Sequence, residues 1–165
     1  MEIMKKEVKG AKTKKFEGFR PKIYRDSVGK RTIGYGFNID DKYIASMLSK
    51  DIISGKRAIS TKESDELFRV LYSMAEKDAA DFLGEDVFKK LDDNKKEVVV
   101  DMAYNMGLPK LSEFKKFKAA IEKDDYKTAG DELINSKWYW QVGNRSKHHV
   151  NIFRNIKEND NVRKR

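Results

Sequence analysis

A stripe of apolar side chains between positions 60 and 84 is the strongest periodic pattern in the chain. Apolar residues recur there every three or four positions, at Leu67, Phe68, Leu71, Met74, Ala75, Ala79 and Phe82. Residues at this spacing lie on one face of an α-helix. Ser60 and Glu63 form a capping-box pair at its start, and Gly84 is suited to ending it. We therefore predict a long amphipathic helix that begins after Ser60 and runs to about residue 83.

Shorter stretches of helical periodicity follow in the second half of the chain. They predict helices over residues 98–106, 113–121, 126–134 and 146–156. Residues 22–39 break this pattern, because Asp26-Ser27-Val28-Gly29 is a turn cluster and residues 31–37 are rich in β-branched and aromatic side chains. We predict a small antiparallel sheet here, between two helical regions.

Together these elements predict an α+β fold that is mostly helical. The short antiparallel sheet belongs to a small N-terminal lobe of about residues 1–62, a long connecting helix covers 63–84, and a helical C-terminal lobe covers 85–165. The chain has 165 residues, enough for one domain built from such lobes. Ligand clefts often lie between lobes of this kind.

Composition excludes several kinds of site. The chain has no cysteine, so it has neither a disulfide framework nor a cysteine-ligated metal. Its only two histidines, His148 and His149, are adjacent, and neighbouring side chains point in different directions. A usual metal site needs three or four converging ligands. We therefore expect no metal site.

The first fifteen residues are charged throughout and lack the apolar core of a secretory signal. No apolar run in the chain approaches the roughly 20 residues that span a bilayer. We therefore expect a protein that is made in the cytoplasm without a signal peptide and does not insert into a membrane.

Charge is unevenly distributed along the chain, whose net charge is +9. Residues 1–26 carry nine basic and four acidic side chains, and residues 137–165 carry eight basic and two acidic ones. Residues 63–101 carry six basic and twelve acidic side chains, so the middle is negative. Positive chain ends are attracted to polyanions such as nucleic acid, anionic lipid or bacterial wall polymers. Charge alone does not choose among these partners.

Three residues of the N-terminal lobe are candidates for chemistry: Glu17, Asp26 and Thr32. Each also has an ordinary interpretation, as a solvated acid, a turn residue and a strand residue respectively. Glu17 stands out because it lies at the expected end of the first helix, just before a glycine and among phenylalanines. The negative end of a helix and apolar neighbours both favour the protonated acid, which a general acid requires.

Three separated motifs together form a specific pattern. The first runs through Glu17-Gly18-Phe19-Arg20, Ile23-Tyr24-Arg25-Asp26, Gly29 and Thr32-Ile33-Gly34-Tyr35-Gly36. The second is Asp101-Met102-Ala103-Tyr104-Asn105-Met106-Gly107, and the third is Lys137-Trp138-Tyr139-Trp140-Gln141 with Asn144-Arg145. In this order, and with eight residues between Glu and Asp and five between Asp and Thr, they resemble the phage-type lysozymes (glycoside hydrolase family 24) over nearly the whole chain.

The resemblance implies a lysozyme-like fold and a role for each matching residue. Glu17 would protonate the glycosidic oxygen of the leaving sugar, while Asp26 and Thr32 would hold the attacking water on the opposite face. Arg145 would pair with Glu17 across the lobes and tune it. The sugar cleft would be lined by Gly36, Phe37, Tyr104 and Asn105. A glycine lets a sugar approach the backbone, although a bulge in the sheet would equally explain Gly36.

Two positions differ from residues that can occur in close relatives. Phe37 stands where a polar imidazole can occur, and Tyr104 carries a hydroxyl where an apolar aromatic can occur. These differences affect stability and sugar contacts more than the bond-breaking groups. We interpret Trp138 and Trp140 as packing residues rather than sugar platforms, because the C-terminal lobe needs core.

The function that the resemblance implies is an N-acetylmuramidase that acts on bacterial peptidoglycan after release, as a monomer. The reaction needs only water and two carboxylates, so no cofactor is implied. The hydroxyl of Thr32 beside Asp26 favours a held water and hence inversion at the anomeric carbon. One alternative is a catalytically inert wall-binding module, which would require loss of the acid Glu17. Another is a nonspecific nucleic-acid-binding protein, although the sequence has no such signature.

Overall fold

A computed structural model of the chain describes residues 9–155. Within that range it has ten helices and three strands. In chain order they are α1 (Ala11–Glu17), β1 (Arg20–Arg25), β2 (Arg31–Gly34), β3 (Phe37–Asn38), α2 (Lys42–Ser46), α3 (Lys50–Ile53), α4 (Thr61–Leu83), α5 (Glu85–Lys90), α6 (Asp93–Leu111), α7 (Lys115–Glu122), α8 (Tyr126–Ile134), α9 (Lys137–Val142) and α10 (Asn144–Phe153). This confirms the predicted α+β, mostly helical fold.

The chain divides into two compact units, Met1–Ser73 and Met74–Arg165. The division falls inside α4, the helix that the sequence predicts as a connection over residues 63–84. The first unit contains the sheet, and the second contains α5 to α10.

The sheet of the first unit is an antiparallel meander in the order β1-β2-β3. Tyr24 pairs with Thr32 between the first two strands, and Thr32 pairs with Asn38 between the last two. The turn between β1 and β2 is the predicted one, with Gly29 at a φ of 85°. The predicted sheet is therefore confirmed, and it places Thr32 on the middle strand.

Helix α4 begins and ends as predicted. Ser60 N donates to Glu63 Oε1 over 2.9 Å, and Glu63 N donates to Ser60 Oγ over 3.0 Å, which is the reciprocal capping box. At the other end Gly84 has a φ of 89°, and its N–H donates to the Ala80 carbonyl over 2.7 Å. Most of the apolar stripe is buried, but Met74 is 45% exposed because it lies at the edge of the stripe.

Helix α6 is the buried centre of the second unit. Six consecutive residues from Val98 to Ala103 are buried, which is the pattern of a helix covered on all sides. The helix is longer than the predicted 98–106, because Asp92 caps its start by accepting from Lys95 N over 2.9 Å. A kink at Gly107, with a φ of 80°, separates the last turn. The core around α6 is completed by side chains of the later helices, among them Phe117, Ile121, Leu133, Trp138, Val150 and Phe153.

The other helices of the second unit depart from the predictions mainly at their ends. The predicted helices 113–121 and 126–134 correspond to α7 and α8, and the second of these matches at both ends. Helix 146–156 corresponds to α10, and residue 156 lies outside the described residues. The sequence did not predict α5 or α9. Over residues 9–155, no helix is both long and apolar enough to cross a membrane.

Candidate active site

Glu17 is the last residue of α1, as the sequence predicts. Gly18 follows it with a φ of 73°, and the Gly18 N–H donates to the Lys14 carbonyl over 2.8 Å, which ends the helix. The Glu17 side chain is half-buried. A carboxylate at this position faces the partly negative end of the helix, and this raises the free energy of its charged form.

The carboxyl group of Glu17 lies against the backbone of Gly36. Gly36 has a φ of 74°, and a Cβ at this position would overlap Glu17 Oε1 and lie 2.8 Å from Glu17 Cδ. Only glycine leaves this space open at a positive φ without strain. The fold therefore brings together two of the candidate residues, and the absence of a Cβ at Gly36 makes room for the Glu17 carboxyl group.

Asp26 closes the turn between β1 and β2 with one of its two oxygens. Its Oδ1 accepts from Val28 N over 3.0 Å and from Lys30 N over 2.8 Å. Its Oδ2 accepts no hydrogen bond from any residue in the described range 9–155. Asp26 is half-buried, so one oxygen serves the turn and the other can accept from a ligand or a water.

Thr32 is 4% exposed, and its Oγ1 donates to the Lys30 carbonyl over 2.9 Å. Because this bond uses the hydroxyl hydrogen, the remaining capacity of Oγ1 is to accept. Asp26 binds the N–H of Lys30 and Thr32 binds its carbonyl, so the two side chains converge on one residue. That they face one site stays a prediction.

Tyr24 is a residue that sequence reasoning left without a role. Burial raises the pKa of its hydroxyl, the negative charges of Glu17 and Asp26 raise it further, and Arg20 lowers it. The Arg20 guanidinium stacks on the Tyr24 ring with its Cζ 3.9 Å from the ring centroid. Tyr24 thus lies in the field of both carboxylates. Tyr24 lies between Glu17 and Asp26 in the chain and pairs with Thr32 in the sheet. Its place in the chain was the sequence feature that could have indicated that it lies near the candidate residues.

Phe37 does not offer its ring to a ligand in this structure. The residue is 0% exposed, and a Cβ on Gly34 would lie 2.6 Å from the Phe37 ring. Its ring packs in the core of the first unit, edge-on to Tyr35 at a centroid distance of 6.2 Å. The assignment of Phe37 to the cleft lining is therefore corrected, because the strand residues alternate and this side chain faces inward.

In the second unit, Tyr104 is half-buried and Asn105 is exposed near the end of α6. Trp138 Nε1 donates to Asn105 Oδ1 over 2.8 Å. Since an indole can only donate, this bond fixes the amide so that its NH₂ group faces away from Trp138. The Asn105 amide therefore turns its two hydrogen-bond donors away from Trp138, and its role in binding stays a prediction.

The two tryptophans of the third motif have different environments. Trp138 is 4% exposed, and its ring stacks on His149 at a centroid distance of 5.7 Å. This confirms the packing interpretation for Trp138. Trp140 is 74% exposed, so for this residue the packing interpretation is wrong. Both lie on α9, but the two positions differ by about 200° around the helix and face opposite ways.

Arg145 is buried in the second unit and binds Asp101 through two bonds. Its Nε donates to Asp101 Oδ2 over 2.7 Å, and its Nη2 donates to Oδ1 over 2.8 Å. His149 Nε2 contacts the same Oδ2 at 2.6 Å. Asp101 belongs to the second sequence motif, but the sequence predicts no role for it or for His149. No sequence signal links them, because 44 and 48 positions separate Asp101 from its two partners.

The pKa values of the buried residues Asp101 and His149 are both shifted from their ordinary values. Burial raises the pKa of Asp101, but the hydrogen bonds from His149 and Arg145 outweigh it and hold the pKa well below its usual range. Burial lowers the pKa of His149, and the contact with Asp101 only partly offsets this. Asp101 is therefore ionised and His149 neutral at pH 7, and Nε2 carries the hydrogen that His149 donates.

A metal site was not expected from the sequence. Among residues 9–155, no group of three or more histidine, aspartate or glutamate side chains is placed to hold a metal ion. The candidate chemistry is that of carboxylates, a hydroxyl and a guanidinium.

Comparison with known proteins shows which family the sequence resembles. The model of the phage lysozyme family matches residues 14–154. The protein named Probable T4-type lysozyme 2 of Dictyostelium discoideum is 30% identical over 149 residues, which cover 83% of this chain and 88% of that protein. Probable T4-type lysozyme 1 of the same organism is 28% identical over 148 residues, covering 82% and 87%. The matched region includes all the candidate residues described above.

Proposed function

Since the chain belongs to the phage lysozyme family, we propose that it hydrolyses the β-1,4 bond between N-acetylmuramic acid and N-acetylglucosamine in bacterial peptidoglycan. The observation that carries the proposal is the arrangement in the first unit. Glu17 places a carboxyl group at the end of α1. Asp26 supplies a second carboxylate, and both Asp26 and the Thr32 hydroxyl bind the backbone of Lys30. Glycoside hydrolysis requires an acid for the leaving group and a second carboxylate.

Glu17 is the proposed general acid. It must hold a proton near neutral pH and then deliver it to the glycosidic oxygen. The end of α1 and partial burial both disfavour its negative charge, as this role demands. Contact with Gly36 limits where the carboxyl group can go, which supports a fixed acid position.

Asp26 and Thr32 are proposed to hold the attacking water. Oδ2 of Asp26 and Oγ1 of Thr32 can each accept one hydrogen of that water. The water oxygen then keeps a lone pair directed at the anomeric carbon. As the carbon–oxygen bond forms, Asp26 takes one proton from the water while Glu17 gives one to the leaving oxygen, so protons balance. This route inverts the anomeric configuration.

The remaining candidate residues are proposed to bind the sugar or to support the catalytic residues. Gly36 and Asn105 are proposed to contact sugar through backbone and amide groups, and Tyr104 through its hydroxyl. Arg145 is proposed to be a supporting residue of the site, as the resemblance implies. A protein of net charge +9 suits an anionic wall, and the reaction itself calls for no cofactor. We propose that it acts as a monomer, on the cell wall after release from the cytoplasm.

The deciding experiment measures new reducing ends and loss of turbidity on purified peptidoglycan. Wild type is compared with Glu17→Gln, which keeps the shape but cannot donate the proton. A matched control is Glu66→Gln, because Glu66 is an exposed acid on the same unit. We expect Glu17→Gln to lose about 10²–10⁴-fold in rate and the control to keep wild-type activity. Wall binding without any release of reducing ends by wild type would overturn the proposal and favour an inert wall-binding module.

A further inference from the structure

A buried cluster of Asp101, Arg145 and His149 joins α6 to α10 within the second unit. Asp101 accepts hydrogen bonds from Arg145 Nε, Arg145 Nη2 and His149 Nε2 at 2.6 to 2.8 Å. None of the three residues is more than 8% exposed. We propose that Asp101 and His149 are positioning residues that fix the direction of the Arg145 guanidinium. The expected effect of these residues on activity rests on the function proposed above.

The orientation follows from the shape of the guanidinium. Asp101 binds the edge that carries Nε and Nη2 of Arg145. The group is planar and rigid, so fixing one edge with two bonds also fixes the direction of Nη1 on the other side. A single bond would leave the plane free to rotate about it.

His149 holds the carboxylate itself. Arg145 and His149 are four residues apart on α10, so they lie on the same helix face and approach Asp101 from neighbouring turns. Oδ2 accepts from both Arg145 Nε and His149 Nε2. Any rotation of the Asp101 carboxylate that would release Arg145 must therefore also break the bond from His149.

The imidazole is in turn held by the neighbouring helix. The Trp138 ring stacks on His149 with an interplanar angle of 14°, and Trp138 Nε1 donates to Asn105 on α6. Asn105 lies one helical turn after Asp101, so α6 anchors the cluster at two successive turns. The imidazole can therefore neither tilt nor slide without losing contacts on both helices.

Stability alone is a weak reason for this cluster. A buried ion pair costs desolvation, and replacing it by apolar residues of similar volume is often neutral or stabilising. Directed hydrogen bonds hold a charged group in one orientation, which apolar packing does not do. This favours positioning as the role of Asp101 and His149.

The test compares two substitutions of His149 with a control. His149→Gln places an amide donor near the former Nε2, whereas His149→Leu fills the space without a donor. His148→Gln is the matched control, because His148 is the neighbouring histidine of the same helix but is only half-buried. Asp101→Asn is the fourth variant, since it removes the charge and part of the acceptor set.

The first readout is the Nε–H signal of Arg145 in ¹⁵N-labelled full-length protein, which needs no substrate. In wild type we expect a single signal that exchanges slowly with water. We expect it to broaden or vanish in His149→Leu and Asp101→Asn, and to persist in His149→Gln and His148→Gln. A signal unchanged in His149→Leu would overturn the positioning role.

The second readout separates kcat from KM on soluble peptidoglycan fragments. We expect His149→Leu to lower kcat roughly fivefold, the equivalent of one hydrogen bond, with KM nearly unchanged, and His149→Gln to recover most of it. Equal losses in both His149 variants, or losses that follow only the folded fraction, would overturn the inference. Absence of hydrolysis by wild type would instead overturn the proposed function, and the Arg145 signal would still decide the positioning role.

Discussion

The carboxyl group of Glu17 occupies the space beside Gly36 that any other residue would fill with its Cβ. This contact links the end of α1 to the turn between β2 and β3. A glycine is required at position 36 because the Glu17 side chain lies too close for a Cβ. Neither the bulge nor the sugar approach considered from the sequence is needed to account for Gly36.

We therefore expect Gly36→Ala to displace the Glu17 carboxyl group and to lower kcat about 10²-fold, the typical effect of moving a reacting group by an ångström. The matched control is Gly55→Ala, because Gly55 also has a positive φ, of 83°, but a Cβ there meets no atom within 4 Å. Both variants carry backbone strain of about 1–2 kcal/mol. Equal activity of the two variants, measured at equal folded fraction, would contradict the placement role of Gly36.

The two tryptophans of α9 offer a test of burial. Trp138 packs against His149 and binds Asn105, whereas Trp140 is 74% exposed. We expect Trp138→Ala to lower the free energy of unfolding by about 3–5 kcal/mol. For Trp140→Ala we expect a change within about 0.5 kcal/mol. Urea unfolding followed by circular dichroism measures both, and a large loss for Trp140→Ala would show that its ring is buried in solution.

The parts of the fold that could be predicted from sequence are those that local chemistry determines. Helix α4 carries a capping box, a regular apolar stripe and a terminal glycine, so both ends were predicted. Helices α5 and α9 have six residues each and little periodicity. Helix α9 depends on burial of Trp138, a tertiary contact that periodicity does not reveal.

The same distinction applies to the candidate site. Glu17, Asp26 and Thr32 lie within sixteen successive positions, and one helix end and one hairpin place them. Asp101, Arg145 and His149 meet only because α6 and α10 pack together, and this could not be predicted. Phe37 was assigned to the cleft by resemblance, although alternation with the buried Ile39 favours an inward side chain.

The buried imidazole predicts a pH dependence of stability. Burial lowers the pKa of His149 in the folded protein below the ordinary value of 6.5 that applies when the chain is unfolded. As the pH falls below 6.5, the unfolded chain binds a proton that the folded protein does not, so the free energy of unfolding decreases. The loss is at most about 1.4 kcal/mol per pH unit and stops at the folded pKa.

We therefore expect His149→Leu to flatten the stability curve between about pH 6.5 and the folded pKa of His149. Asp101 acts in a separate window, because its folded pKa lies below the ordinary 3.8 and its contribution is lost only at still lower pH. His148→Leu serves as the control, and urea unfolding at each pH is the measurement. A slope identical in wild type and His149→Leu would mean that folding does not shift the pKa of His149.

The hydroxyl of Thr32 provides a test of how the water is held. Thr32→Val keeps the shape of this buried residue but removes Oγ1, which donates to the Lys30 carbonyl and is proposed to accept from the water. We expect a fall in kcat of about tenfold or more, since both one hydrogen bond and the water position are lost. Thr32→Ser keeps the hydroxyl and should retain most of the activity. Similar activity of the Val and Ser variants would leave Thr32 only a packing role.

The configuration of the first product tests the mechanism directly. If a water held by Asp26 and Thr32 attacks from the face opposite the leaving sugar, the β-linked bond yields an α-configured reducing end. If Asp26 attacks the carbon itself, hydrolysis of the covalent intermediate restores the β configuration. One oxygen of Asp26 accepts two backbone hydrogen bonds in the turn, so Oδ2 is the oxygen that would accept the proton of a held water. Proton NMR within the first minutes, before mutarotation, should therefore show the α anomer first, and an initial β anomer would refute the water mechanism.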